Sequence, residues 1–228
     1  MKPHYHKTFH LPVGKIHIMI YGKDENPLSL EETLSKVRQK IQRKMFLLQQ
    51  VHGSEYIDLR KNIPENNGVS FDQEADAIIS NQKDYALVIK TADCVPIFFW
   101  HPEKLLFGGI HVGWRGLAKK TITKTLQAVD DRENLYFWVG PHIQPLSYEV
   151  GEEVYSLFLD ECSMPTSPNP GKRYLNLNCI VHHELEDLGI DNSRVFYDRE
   201  DTFHSNLLYS HRGGDSGRNL NILYWESI

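Results

Sequence analysis

The chain has 228 residues, with 25 basic and 30 acidic side chains, a formal net charge of −5 and a hydrophobic fraction of 40%. That length buries a sizeable core, and the composition is that of an ordinary soluble globular chain. No basic block stands out, which argues against a nucleic-acid surface, and no run approaches the roughly 20 apolar residues of a membrane helix.

From the N-terminus, MKPHYHKTFHLPVG shows no apolar run after its basic residue, so no secretory signal is expected. His4, His6 and His10 are placed on a frayed terminus. GKIHIMIYG (14–22) alternates and is β-branched, which predicts a strand. Ser29 and Glu32 then form a capping box, and Leu30, Leu34, Val37 and Ile41 recur at helical spacing, so a helix is expected from about 30 to about 45. LLQQVHG reads as a strand from Phe46 to Val51, with His52 and Gly53 at its exit. FDQEADAIISN (71–81) leads into a short strand. YALVIKTADCVPIFFW reads as one long apolar strand interrupted at Asp93 and Pro96, HPEK as a turn and LLFGGIHVGW as the returning strand. RGLAKKTITKTLQAVDD begins a helix just past Gly116. NLYFWVGP is a further strand, GEEVYSLFLDE (151–161) a helix and TSPNPGKR (166–173) an internal loop. A helix near 176–188, the loop YDREDTFHSN and the strand RNLNILYW complete the chain. Strands alternating with helices, together with the hairpin, imply an α/β (α+β-like) fold. Residues 1–228 are expected to form one compact layered domain of mixed sheets flanked by helices.

The cysteines are Cys94, Cys162 and Cys179. An odd and sparse set is not a disulfide framework and points to a reducing compartment, the cytoplasm. Cys162 and Cys179 read as small buried hydrophobes. Cys94 is different because of the hairpin. With Pro102 and Glu103 as central turn residues, His101 faces Lys104, Phe98 faces Phe107 and Cys94 faces His111. Opposed residues of an antiparallel pair have Cβ atoms about 4.5–5.5 Å apart on one face, which suits two ligands of one metal ion. Pro96 cannot donate to the ladder and is a candidate bulge. A catalytic zinc site keeps three protein ligands and an open fourth position. His52, between an apolar strand exit and a glycine, is the best third ligand.

Several residues accompany this trio. Asp93 is an acid within an apolar strand, where a carboxylate needs a partner or a chemical task. Arg115, between Gly113 and Gly116 at a helix start, suits an anion, and Trp114 suits a planar ligand. HRGGDSGR (211–218) is glycine-rich with two arginines but lacks the spacing of a P-loop.

QQVHG, ADAIIS, KTADCVPIFF, GGIHVGWRG, VGPHIQPLSYEVG and SHRGGDSGR together resemble the YfiH-like laccase-domain family, from about residue 46 to the C-terminus. The resemblance implies one zinc ion held by His52, Cys94 and His111, within a compact layered α/β fold. It implies a purine nucleoside enzyme acting on adenosine, inosine, guanosine or methylthioadenosine, with phosphate as nucleophile in phosphorolysis and water in adenosine deamination. On this reading Asp93 orients the water or accepts its proton, Arg115 and Arg212 hold phosphate, and Gln50, Asp76 and Trp114 line the pocket. Three substrate-side elements depart from the family pattern. YGKDENPLSL stands in place of R-x-G-G-V-S, YDREDTFHSN lacks a cysteine, and RGG (212–214) stands in place of R-R-D. Zinc binding is therefore better supported than phosphorolysis. The alternatives are a copper-dependent polyphenol oxidase, a nucleoside- or partner-binding protein that retains zinc, and a cysteine hydrolase with Cys94 as nucleophile and His111 as base. Oligomeric state has no signature in the sequence.

Overall fold

The computed structural model describes residues 2–24, 28–61, 69–70, 73–167 and 169–227. Parts of three stretches read above, YGKDENPLSL, FDQEADAIISN and TSPNPGKR, lie outside these residues. The strands are β1 (Tyr5–Leu11), β2 (Gly14–Tyr21), β3 (Lys44–Leu47), β4 (Tyr56–Asp58), β5 (Val69–Ser70), β6 (Ala77–Ser80), β7 (Tyr85–Thr91), β8 (Val95–Trp100), β9 (Phe107–Val112), β10 (Tyr136–Val139), β11 (Glu149–Val150), β12 (Arg173–Tyr174), β13 (Val195–Tyr197) and β14 (Asn219–Glu226). The α-helices are α1 (Leu30–Ile41), α2 (Trp114–Ala118), α3 (Thr121–Gln127), α4 (Glu152–Tyr155) and α5 (Leu177–Asp187). Two six-stranded mixed sheets result, ordered β1-β2-β14-β7-β3-β5 and β13-β10-β8-β9-β6-β4, with β11 and β12 as a separate antiparallel pair.

The two-residue side-chain period of each strand sorts its apolar residues between two cores. In the first sheet, Ile16, Ile18, Phe46, Leu87, Ile89 and Leu223 face the second sheet, where Phe98, Trp100, Phe107 and Trp138 meet them. Their neighbours Met19, Tyr21, Met45, Ala86, Val88 and Ile222 face the other way, onto Leu34 and Val37 of α1. In the second sheet, Ile97, Phe99, Ile110, Phe137 and Val139 face Leu117, Ile122 and Leu126 of the α2–α3 segment and Ile180, Val181 and Leu185 of α5. The order is therefore helix, sheet, sheet, helices. Strands buried on both faces explain why the apolar runs are nearly continuous rather than alternating with polar residues.

Several expectations are corrected. The stretch from Tyr85 to Trp100 is two strands in different sheets. β7 pairs with β14 and β3, and β8 pairs with β9 and β10. The chain crosses between sheets at Ala92–Cys94, where Asp93 adopts φ 90°. The β8–β9 register is Trp100 opposite Phe107 and Pro96 opposite His111, so the position facing Cys94 is Gly113 and not His111. The connection is longer than a two-residue turn, closed by a 2.9 Å hydrogen bond from His101 N to Leu106 O. A shift of two residues preserves the face, so Cys94 and His111 remain diagonal neighbours. The ladder runs through Pro96 without a bulge. The capping box forms, but α1 ends at Ile41 because Gln42 is left-handed (φ 52°). The segment after Gly113 is two helices, broken at left-handed Lys120 (φ 56°). The N-terminal segment is an edge strand whose Tyr5, Phe9 and Leu11 pack on the intersheet core. Cys162 and Cys179 are joined as a disulfide with Cα atoms 6.0 Å apart, inside the range of about 4.4–6.8 Å that a bridge requires.

Candidate metal centre

His52, Cys94 and His111 converge from three segments, with ligand atoms all within 4.8 Å of one another. His52 follows β3 through the loop Gln49–Gly53 and takes a left-handed backbone (φ 56°). Cys94 sits in the crossover between the sheets. His111 is on β9, 3% exposed, and its ring stands edge-on to that of His52 with centroids 5.0 Å apart.

One carboxylate holds two of the three donor residues. Asp76, fully buried before β6, accepts from Val51 N (3.2 Å), His52 N (3.1 Å) and Gly53 N (2.6 Å). It also accepts from His111 Nδ1 at 2.8 Å. The costly αL conformation of His52 is therefore anchored, and His111 is left with Nε2 as its free donor atom. The outer side of the same loop is tied by Thr121 Oγ1 to Gly53 O (2.8 Å) and Lys119 Nζ to His52 O (3.2 Å). Asp76, expected to line the pocket, does not do so. It stands behind the donor residues, because its oxygens are turned toward four N–H donors. Burial raises its pKa, but the His111 hydrogen bond and the Gly53 and Val51 amides lower it further, so the net shift is downward.

Burial pushes the Cys94 thiol up, yet the charge of His111 and hydrogen bonds from His111 and His52 outweigh it and hold the thiol at about 6. Burial likewise lowers His111, but the Cys94 thiolate and Asp76 raise it to about 9. Each of the two groups thus favours the charged form of the other. Gly113 permits this approach, since a Cβ at that position would lie 2.8 Å from Cys94 Sγ. One thiolate, two imidazoles and a carboxylate fixing one imidazole form a donor set suited to zinc, or to another metal that takes N/S ligands.

The three donors open into a cavity of about 590 Å³, within the range of about 300–1,000 Å³ typical of small-ligand sites. Its lining includes Gln50, Asp93, Trp114, Arg115 and Arg212 of the residues selected above. The Arg115 guanidinium lies 4.4 Å over the Trp114 ring, and that of Arg212 lies 5.3 Å over Tyr148. Gln50 is committed to backbone, donating to Lys90 O and accepting from Lys90 N, each at 2.8 Å. Asp93 accepts from Thr202 Oγ1 and from Arg212 N, each at 2.7 Å, so it pins the 211–213 loop against the crossover.

Lys90, Tyr148, His211 and Arg218 also line the cavity and were missed in the sequence. Lys90 carried a signal, a lone cation within the buried run YALVIKT. Arg218 is one of the two arginines of the glycine-rich HRGGDSGR loop, an anion signal, whereas Tyr148 carried none beyond its place in a quoted motif. Burial lowers the Lys90 pKa and the nearby Arg218 charge lowers it further, while burial pushes Tyr148 up to about 12. Among the described residues, Lys90, Arg115, Arg212 and Arg218 form no salt bridge. The cavity thus presents four cations without carboxylate partners above a cluster of metal donors.

Residues 19–226 match the family model described as multi-copper polyphenol oxidoreductase laccase. The chain is 31% identical over 155 residues to a purine nucleoside phosphorylase of Xylella fastidiosa, covering 65% of this chain and 59% of that protein. It is 29% identical over 192 residues to the purine nucleoside phosphorylase YfiH of Escherichia coli, covering 79% and 76% respectively. Its fold is similar to that of NMB0706 of Neisseria meningitidis, with a TM-score of 0.79 at 20% identity over 97% of this chain and 99% of that one. YlmD of Geobacillus stearothermophilus gives a TM-score of 0.78 at 21% identity, over 95% and 93%.

Proposed function

The chain belongs to the multi-copper polyphenol oxidoreductase laccase family, and from that premise we propose that it is a zinc-dependent purine nucleoside enzyme. The observation that carries this reading is the pairing of the His52–Cys94–His111 donor cluster with a cavity rimmed by Lys90, Arg115, Arg212 and Arg218, which form no salt bridge among the described residues. Relatives named as purine nucleoside phosphorylases support it. Adenosine, inosine, guanosine and methylthioadenosine are the candidate nucleosides, and the cytoplasm, where a free Cys94 stays reduced, is the proposed location.

In phosphorolysis a phosphate oxygen bonds to C1′ of the ribose, the C1′–N9 bond breaks and the purine leaves. Arg115 and Arg212 are assigned to the phosphate, each guanidinium steered by the aromatic ring beneath it. Asp93 holds the Arg212 backbone in place, a positioning role. In adenosine deamination water attacks C6 and ammonia leaves. His52, Cys94 and His111 would hold the zinc ion, which when bound would supply Lewis acidity to lower the pKa of water toward neutrality. Asp76 keeps the His111 proton on Nδ1, away from the ligand position.

Copper oxidase chemistry is less well supported. A blue-copper site usually adds an axial methionine, whereas Met19 and Met45 are packed beneath α1 and Met164 packs at the helical layer. A second reading has a specific observation behind it. The Asp76–His111–Cys94 series is also the arrangement of an oriented base beside a thiolate nucleophile. Incubation with adenosine, with and without phosphate, separates these readings by product. Adenine with ribose 1-phosphate marks phosphorolysis, and inosine marks deamination. Loss of both products on chelation, restored by zinc, supports metal chemistry; activity that survives chelation supports the thiolate. Products no greater than those of Cys94→Ala in every arm overturn the enzyme reading.

A further inference from the structure

A second group of metal donors lies at the periphery of the helical layer. Cys162 Sγ, Cys179 Sγ and a ring nitrogen of His183 all lie within 4.8 Å of one another. None of these residues lines the catalytic cavity. Cys179 and His183 are four residues apart on α5, and that spacing places both on one helix face. Cys162 reaches them from the loop that follows α4, where its neighbour Glu161 is tied to Lys120 at 2.9 Å.

Each position suits a ligand. The Asn176 side chain accepts from Cys179 N at 3.1 Å, fixing Cys179 in the first turn of α5, where the helix N-terminus favours a thiolate. Cys162 is 7% exposed and packed at the edge of the core, whereas His183 is exposed. The cluster therefore meets the surface on its His183 side. Zinc held by two thiolates at about 2.3 Å keeps the sulfurs about 3.8 Å apart. The Cα separation of 6.0 Å accommodates that spacing through side-chain rotation, because it is set by the backbone whichever form the sulfurs take.

We propose that Cys162, Cys179 and His183 form a second zinc site when the cysteines are reduced, and that disulfide formation dismantles it. A peroxide is the oxidant. The two thiolates give up two electrons and join, the O–O bond accepts those electrons with two protons to give two waters, and zinc is released. In a reducing compartment thiols are kept reduced, so the metal form is the resting one there. This inference does not depend on the nucleoside reading, since the site shares no ligand with the cavity.

The test is zinc stoichiometry of the full chain, measured with a competing chromophoric chelator after anaerobic reduction and again after treatment with hydrogen peroxide. Reduced protein is expected to hold about one more equivalent than peroxide-treated protein in which peptide mapping shows the 162–179 bridge and a reduced Cys94. The double variant Cys162→Ser/Cys179→Ser should lose that redox-dependent equivalent and keep the other. His183→Ala alters an exposed side chain and leaves both cysteines. Removal of an outer partner of a metal site costs about 10–100-fold, so loss of this ligand should weaken the second equivalent at least about tenfold. Equal zinc content in the reduced and bridged forms, or wild-type affinity in His183→Ala, overturns the proposal. Failure of the catalytic site lowers both stoichiometries together and leaves the difference intact.

Discussion

Asp76→Asn separates the charge of the buried carboxylate from its shape. Oδ1 accepts from His52 N and His111 Nδ1, and Oδ2 accepts from Val51 N and Gly53 N. An amide has one acceptor oxygen, so one of these two pairs must face an NH₂ group. If the NH₂ faces Val51 and Gly53, two backbone donors lose their acceptor. If it faces His52 and His111, the imidazole can satisfy it only by accepting at Nδ1, which moves the ring proton to Nε2 and closes the metal-facing atom. Either way, two hydrogen bonds to a charged acceptor are lost at about 1.5–3 kcal/mol each, or about 3–6 kcal/mol. At about 2–4 °C per kcal/mol for a chain of this size, the metal-free melting temperature should fall by about 6–24 °C. Zinc affinity should fall about 10–100-fold, because the pair that orients the ligands is broken. Calorimetric melting of the apoprotein and a zinc competition titration read the two effects separately. A variant that melts normally and binds zinc with wild-type affinity refutes the assignment of Asp76 as the holder of His52 and His111.

Three further perturbations address other parts of the molecule. Gly113→Ala places a methyl group 2.8 Å from Cys94 Sγ. Ordinary contact needs about 3.5–4.0 Å, so the sulfur must shift, and zinc affinity should fall at least about tenfold with the fold retained by circular dichroism. Arg212→Ala removes a guanidinium while leaving the backbone N–H that Asp93 holds. KM for phosphate should rise about tenfold or more with phosphate-independent deamination spared, as expected for a charge-assisted contact of about 1.5–3 kcal/mol, and unchanged phosphate dependence refutes the assignment. Glu184 is buried and accepts from Thr123 through Oε1, and among the described residues Oε2 has no hydrogen-bond partner. Burial raises its pKa despite the Thr123 hydrogen bonds. The folded chain therefore binds this proton more tightly than the unfolded one, and stability falls as pH rises from the unfolded value near about 4.3 through the raised folded value. Glu184→Gln should lack that fall, so its melting temperature should gain on the wild type between pH 4 and 7; parallel curves refute this.

The donor trio was legible because its residue types are rare in their settings. A cysteine and a histidine stand within apolar runs of the sequence, and His52 stands between a strand exit and a glycine. The hairpin register differs by two residues from the one expected, but an even shift keeps both side chains on the same face, so Cys94 and His111 still lie close together. Tyr5, Phe9 and Leu11 alternate along β1 and could have marked a strand; the intervening histidines and lysine masked it. The Cys162–Cys179 proximity had no pattern to betray it, since the 17-residue separation spans a loop and two structural elements.

What the sequence could not display is the logic that connects the donors. Asp76 is written beside an apolar strand, and nothing near it in the chain shows that its partners are the amides of residues 51–53 and the ring of His111. Asp93 likewise looks like a free acid in a strand until the crossover at φ 90° carries it out of both sheets and onto the backbone of Arg212 and the hydroxyl of Thr202, more than 100 residues away. Both acids therefore serve the site by spending their acceptor capacity on N–H and O–H donors at the ends of distant loops. A buried carboxylate is tolerated only when such donors surround it. That requirement makes each acid a fastener: it draws together the loops bearing His52 and Arg212, which hydrophobic burial alone would leave free to choose other conformations. The adjacent cavity follows from the same arrangement. With Asp76 turned away from the cavity and both Asp93 oxygens engaged, Lys90, Arg115, Arg212 and Arg218 lack a carboxylate partner among the described residues, and the charge they present is left for a ligand.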